Sequence, residues 1–356
     1  MISCLLLGVL ALPVQSGDEL AAELEARAWE LVESTRVPGV GIAQMHAGKL
    51  VRAIGAGFTE QDGEVEVTAD TVFSVGSISK TVAAWGLMEL VEEEKLALDT
   101  PVVTKRWMPG ESAFDVRGVT LRRLLAHTAG LSLHGYPGFW PGERELPTLE
   151  ASLAGDTNGS GDVHLEAVPG SRWKYSGGGY TWAQLLLEEA SGASLAAYMQ
   201  ERVLVPLGMT SSSYGWPAGL AEVAARPHDE SGDPGPRGGP CFPELAAAGL
   251  LTTARDLARF ALASMPRFRQ EVVLTNATLA QMQTPAENSP GYGLGYEIRQ
   301  EGALTIVGHG GSNLGWIAQL SLVPASGDAL VVLTNGSRGG QVSAALERRW
   351  LASLTK

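Results

Sequence analysis

Apolar residues recur at helical spacing near the start of the chain, where Leu20, Leu24, Ala28, Leu31 and Val32 share one stripe and predict an amphipathic helix over 20–35. The period then shortens. Val40 to Met45 reads as a strand, Ala47-Gly48-Lys49 as a hairpin turn, and Leu50 to Gly57 as a second strand. A long helix is predicted over 79–94, with Ala83, Leu87, Leu90 and Val91 on one face. From 96 to 270 the chain reads as helical patches joined by glycine- and proline-rich connections, two of them long: 133–169 and 226–243. Excursions of that length usually serve as functional walls or lids. Strand patterns return over Tyr292 to Ile298, Leu304 to Val307, Trp316 to Val323 and Ala329 to Leu333. A closing helix over 341–354 places Val342, Ala345, Leu346 and Trp350 together.

Strands at both ends with helices between them predict an α/β (α+β) fold. Its antiparallel sheet is formed by the two chain ends and flanked by helices, with a mainly helical lobe inserted. The expected division is a sheet lobe of 17–76 plus 271–356 and a helical lobe of 77–270. The apolar run from Cys4 to Val14 is shorter than the roughly 20 residues a membrane span needs. It stops at Pro13 and is followed by small residues suited to cleavage before Gly17, so 1–16 reads as a secretory signal peptide and the protein as secreted or periplasmic.

Charge narrows the partners. With 39 acidic against 26 basic residues the chain carries a formal −13, a field that repels phosphate backbones and anionic lipid. Nucleic acid and an integral membrane span are therefore not expected. Cys4 and Cys241 can build neither a disulfide framework nor a cysteine zinc site. Neither metal nor cofactor is expected, and what remains is a small-molecule or peptide site.

Several catalytic signatures are missing. There is no Gly-x-Ser-x-Gly elbow, no His-Glu-x-x-His and no phosphate-binding glycine loop. The first positive signal is Ser77-Ile78-Ser79-Lys80. A serine and a lysine three apart on a helix share one face, where the amine can activate the hydroxyl beside the positive helix N-terminus. Three of the six lysines have a serine at that spacing, but only Lys80 follows a strand-to-helix junction. The bland alternative is a helix cap and a solvated lysine. The second signal is Tyr175 on the glycine-rich stretch 176–179, before a helix over Trp182 to Glu189. A lysine nearby would lower its pKa and make it a usable general base. The third is Gly308-His309-Gly310-Gly311-Ser312 at the end of a strand, where bare glycines expose backbone N–H groups to an oxyanion. Taken singly, the last two read as well as a turn aromatic and a glycine bulge.

In this order the three elements resemble the active-site set of the penicillin-recognition family: class C β-lactamases, D,D-peptidases and β-lactamase-fold esterases. Leu124-Leu125-Ala126-His127-Thr128-Ala129-Gly130-Leu131, Leu207-Gly208-Met209, 248–257 and Asn335-Gly336 fit the same family, and the resemblance spans roughly 22–354. It implies Ser77 as acylated nucleophile, Lys80 as its activator, Tyr175 as general base, and the N–H groups of Ser77 and Ser312 as the oxyanion hole. His127 reads as structural within its motif. Asp256 reads as a helix cap.

Two departures bear on substrate. Gly177 stands where the family's Tyr-x-Asn has its amide, and His309-Gly310-Gly311 stands for Lys-Thr-Gly. A missing charge-assisted hydrogen bond costs about 1.5–3 kcal/mol, which weakens capture of a β-lactam carboxylate. The reading is a serine hydrolase forming an acyl-enzyme on an ester or peptide/amide, of esterase or D-amino-acid peptidase type, with weak or no β-lactamase activity. A silent cell-wall peptide-binding protein of this fold and a true class C-like β-lactamase are the competing readings.

Overall fold

The computed structural model describes residues 17–61 and 63–355; the signal-peptide reading of 1–16 lies outside the described residues. Helix α1 (Gly17–Thr35) buries Leu20, Leu24, Ala28 and Leu31, the stripe read from its pattern. β1 (Gly39–His46) and β2 (Lys49–Gly57) then pair as an antiparallel hairpin. Its turn residues Ala47 and Gly48 both have positive φ, 50° and 74°, the handedness that matches strand twist. A Cβ on Gly48 would stand 2.5 Å from Phe268, so the turn admits only glycine there.

β3 (Phe73–Ser74) leads through Val75 and Gly76 into α2 (Ile78–Glu92). Then come α3 (Gly177–Ser191), β4 (Ser213–Tyr214), β5 (Leu250–Thr252) and α4 (Ala254–Ala263). The chain closes with β6 (Glu297–Glu301), β7 (Leu304–Asn313), β8 (Trp316–Val323), β9 (Asp328–Thr334) and α5 (Gly339–Leu354). The main sheet runs β2-β1-β9-β8-β7-β6, every neighbouring pair antiparallel. Strand alternation sorts its two faces. Val40, Ile42, Leu330 and Val332 meet α1 and α5 around buried Trp350. Ala43, Met45, Val331 and Leu333 face α2 and α4. β9 is buried throughout, which is why it reads as a continuous apolar run. Asn335, just past β9, takes the Gly39 N–H at 2.7 Å and donates to the Thr59 carbonyl at 2.9 Å, tying the two chain ends together. A small sheet, β3-β5-β4, stands beside the start of α2.

The architecture matches the expected fold class, with local differences. α4, inside the stretch expected as the helical lobe, packs on β1 and β9. Tyr292 is not in a strand. Gly293 donates to the Tyr296 carbonyl at 2.8 Å and sits where a Cβ would come 2.1 Å from the Met282 carbonyl, so the chain turns there and β6 begins at Glu297. β7 instead runs on past Val307 to Asn313, because the glycines after it still pair with β8. α3 starts at Gly177 rather than Trp182: the Ser176 hydroxyl accepts the Gly179 N–H, and the three glycines form its first turn. Thr253, not Asp256, caps α4 through the Asp256 N–H. The buried Asp256 carboxylate accepts from the Ser211 N–H and the Ser212 hydroxyl instead. The two long excursions join each other, Phe139 and Cys241 exchanging backbone hydrogen bonds of 2.9 and 2.8 Å.

Candidate active site

Ser77 occupies the N-cap position of α2, but its side chain caps nothing, which leaves the hydroxyl for other work. Lys80 lies one turn on and is only 2% exposed. Its Nζ donates to Ser77 Oγ at 3.0 Å and to the Ala247 carbonyl at 2.7 Å. No carboxylate offsets the loss of water around the amine, so burial lowers the Lys80 pKa to about 7. The turn carrying both residues is riveted by Ser79, whose hydroxyl donates to the Gly76 carbonyl at 2.5 Å and accepts the Leu250 N–H at 2.9 Å.

β7 comes up against this turn through two glycines. A Cβ on Gly311 would lie 1.9 Å from the Val75 carbonyl, and one on Gly76 would lie 2.5 Å from the Ser312 nitrogen. Side chains at either position would therefore part the backbones of Ser77 and Ser312, which both line the same cleft of about 870 Å³. Asn313 fixes the end of β7 by donating to Ser74 Oγ at 2.8 Å and to the Ala248 carbonyl at 3.0 Å. Gly310 is different, since a Cβ there would meet only Gln319 Oε1, at 3.3 Å.

The Tyr175 ring lies 5.0 Å below Lys80 Nζ, and its buried hydroxyl makes no hydrogen bond. Ser77 draws the Tyr175 pKa downward, but burial outweighs it and leaves the phenol well above its usual value. This reverses the expectation that Lys80 lowers it; desolvation of the phenolate is the larger effect. His127 is the structural residue its motif implied. It has φ of 59°, its carbonyl accepts the Lys174 N–H at 2.9 Å, and its Nδ1 accepts the Ser176 N–H at 3.0 Å.

His309 is 2% exposed, with Nδ1 donating to the Gly310 carbonyl at 2.5 Å and Nε2 accepting from the Tyr292 hydroxyl at 2.9 Å. Burial lowers its pKa to about 3, so the ring is neutral. Ser77, Lys80, Tyr175, His309, Gly310, Gly311 and Ser312 all line the one cleft.

The aromatics Tyr136, Phe139 and Trp140 make the 133–169 excursion a candidate wall of the acyl pocket or a surface cover; the remaining lining residues carry no signal of their own in the sequence. From the 133–169 excursion, His134, Gly135 and Tyr136 wall the cleft, whereas Phe139 is buried and Trp140 packs beside Gly235. Ala247, which holds Lys80 through a carbonyl, is invisible to any reading of side chains. Glu297 and Gln319 reach the rim only because of strand register. Among the described residues no group of three His, Cys, Asp or Glu is placed to hold a metal ion, and no helix is long and apolar enough to cross a membrane.

A serine with a lysine one turn on and a tyrosine beside them, against the edge of an antiparallel strand, is the site of a serine hydrolase of penicillin-recognition type. The chain belongs to the Beta-lactamase family, whose profile matches residues 23–354. It is 29% identical over 327 residues to Penicillin-binding protein 4 of Amycolatopsis lactamdurans, covering 84% of this chain and 81% of that protein. It is 28% identical over 318 residues to Esterase EstB of Burkholderia gladioli, covering 78% and 79%. Among solved structures, the octameric penicillin-binding protein homologue from Pyrococcus abyssi superposes with a TM-score of 0.73 at 29% identity, over 89% of this chain and 74% of that one.

Proposed function

We propose that Ser77 is acylated by small esters or amides and that the acyl-enzyme is then hydrolysed. The observation that carries this reading is the Lys80–Ser77 contact of 3.0 Å. With a pKa near 7, Lys80 has a large neutral fraction at neutral pH, and the contact then reverses so that Ser77 O–H donates to the amine. Ser77 Oγ attacks the carbonyl carbon as its proton passes to Nζ. The oxyanion is met by the N–H groups of Ser77 and Ser312. Tyr175, protonated because burial raises its pKa, gives its proton to the departing oxygen or nitrogen and is reprotonated from Lys80. A water then attacks the acyl carbon, its proton taken by the same pair and returned to Ser77 Oγ as the acyl C–Oγ bond breaks and the acid leaves.

The similarity to Esterase EstB supports ester substrates. A neutral His309 and a bare Gly310 offer no cation to a β-lactam carboxylate, which ranks β-lactams below esters. Intact-mass measurement after treatment with an alkyl p-nitrophenyl phosphonate tests the reading. One adduct per chain in wild type and none in Ser77→Ala is expected. A folded wild-type protein that gains no adduct overturns it.

A further inference from the structure

The rim of the cleft beside His309 is lined with acceptors that the acyl transfer does not use. β6 begins at Glu297, which pairs with Gly308, so among the described residues no strand covers the outer edge of β7 from His309 to Asn313. Gly310 pairs with Gln319 on the other side. Gly308 and Gly310 are two residues apart, so Glu297 and Gln319 rise on the same face of the sheet, one on each side of a glycine with no side chain. Gln319 spends its amide N–H groups on the Leu320 carbonyl and Ser321 Oγ, at 3.5 and 3.0 Å. That turns its Oε1 toward the space over Gly310.

Glu297 is half exposed, and its Oε1 lies 3.9 Å from His309 Nδ1. Protein around it raises its pKa, an effect partly offset by the charge of Arg299 and then by the Gly310 N–H. The cation two residues along, Arg299, is committed to Glu347 at 2.6 Å. Of the other lining groups able to carry positive charge, Lys80, His134 and His309 are all held toward neutrality by burial. Glu297 is thus the acidic side chain among the described residues lining the cleft, and no arginine of these lines it beside that carboxylate.

We infer that the notch formed by Glu297, Gly310 and Gln319 receives the leaving group and selects one bearing a positive charge, such as an alkyl- or quaternary ammonium, over one bearing a carboxylate. This rests on the acyl-transfer reading above, in which Tyr175 protonates the departing atom. The Tyr175 and His309 rings pack 6.0 Å apart and Glu297 lies 3.9 Å from His309, so a group leaving past Tyr175 over the edge of β7 has Gly310 and then Glu297 beside it, on the face of the sheet opposite the His309 ring. Two charges several ångströms apart at a partly wetted site change relative rates by about three- to tenfold.

The test is a matched set of butyryl thioesters of thiocholine, 2-mercaptoethanol and 3-mercaptopropionate. In each the acyl C–S bond breaks, the sulfur leaves as a thiol with the proton from Tyr175, and water completes butyrate. In wild type kcat/KM is expected to fall in that order, with thiocholine about three- to tenfold above the neutral thiol and the margin shrinking in 0.5 M salt. Glu297→Gln should bring the cation-to-neutral ratio toward one, and Glu297→Lys should invert it. A wild-type ratio near one, or a ratio unmoved by Glu297→Gln in a protein with an unchanged melting curve, overturns the inference. Calorimetric binding of choline to Ser77→Ala, with and without Glu297→Gln, separates the two claims. Glu297-dependent binding without phosphonate labelling retains the subsite and removes the chemistry. Labelling with no charge preference removes the subsite alone.

Discussion

The imidazole of His127 lies 4.2 Å from the ring of Tyr175, tilted by 35°, while its own carbonyl and Nδ1 hold the backbone N–H groups of the residues immediately before and after that tyrosine. Tyr175, whose hydroxyl makes no hydrogen bond, is thus oriented from its backbone and its ring face. His127 touches neither Ser77 nor the cleft, so it acts through Tyr175 as a positioning residue.

His127→Ala is expected to lower kcat by about 10- to 100-fold with little change in KM, the size of effect that an ångström of misplacement produces. His127→Asn should recover much of that loss. Asparagine tolerates the positive φ found here, and its side-chain oxygen can accept the Ser176 N–H. Steady-state kinetics of the two variants on one p-nitrophenyl ester decide the matter; equal losses in both would remove the positioning role.

In the proposed acyl transfer, Lys80 sets the pH dependence of the reaction. Its amine must be neutral to take the Ser77 proton, so kcat/KM should rise with pH through an apparent pKa near 7. A pH–rate profile governed by a group near 10 would contradict this.

The same lysine costs stability. Its folded pKa lies below the unfolded value of about 10.4, so the unfolded chain binds the extra proton between pH 7 and pH 10 and this group makes stability rise over that window. Below pH 7 the full cost of burying the charge applies, on the order of 4 kcal/mol. Lys80→Met should abolish turnover yet raise the melting temperature at pH 7 by several degrees, a difference that should vanish above about pH 10. Thermal melts at pH 7 and pH 10 are the measurement.

Glu244 works in the opposite sense. It is 1% exposed, accepts a hydrogen bond from Ser152, leaves its second oxygen unpartnered, and burial raises its pKa to about 7. A carboxyl raised above its unfolded value stabilises fully below about pH 4.3, and that stability drains as pH rises to 7. Glu244→Gln should therefore stabilise the protein at pH 8 by about 2 kcal/mol and have no such benefit at pH 4. Denaturant titrations at the two pH values would show it.

Glycines of one strand are expected to differ sharply. Gly311→Ala drives a methyl to 1.9 Å from the Val75 carbonyl, so it should cost about 2–4 kcal/mol of stability and 100-fold or more in kcat as the proposed oxyanion donors, the N–H groups of Ser77 and Ser312, separate. Gly310→Ala meets only the far end of a side chain and should melt within a degree or two of wild type. Paired melting curves and single-substrate kinetics distinguish them.

Much of this site was legible because its chemistry is local. Ser77 and Lys80 announce themselves by helical spacing, and β8 is legible to the residue because its apolar positions run from Trp316 to Val323 between two turns. What escaped depends on distant segments. Tyr292 looked like the start of a strand until Gly293 had to pass under the Met282 carbonyl, and that turn is what aims its hydroxyl at His309. The pKa of Tyr175 depends on how completely other elements exclude water from it, which no neighbour in sequence encodes. Glu297 and Gln319 sit on strands whose pattern reads as ordinary half-buried sheet, and only the register of β7 brings them to the cleft.

The sheet order has a consequence for synthesis of the chain. β1 is flanked by β2, made immediately after it, and by β9, made last, with Val40 opposite Thr334. A ribosome must therefore release almost the whole polypeptide before the central pair can close. Until then the β1–β2 hairpin carries an apolar, unpaired edge, the kind of surface that attracts chaperones or a second nascent chain. Loop closure over nearly three hundred residues also makes slow folding the expectation. Joining the ends of α1 and α5, which pack side by side, and reopening the chain in a surface connection would put β9 and β1 close in sequence. Such a permuted chain would assemble its sheet early in translation and make the mainly helical stretch that follows the Ser77 turn last.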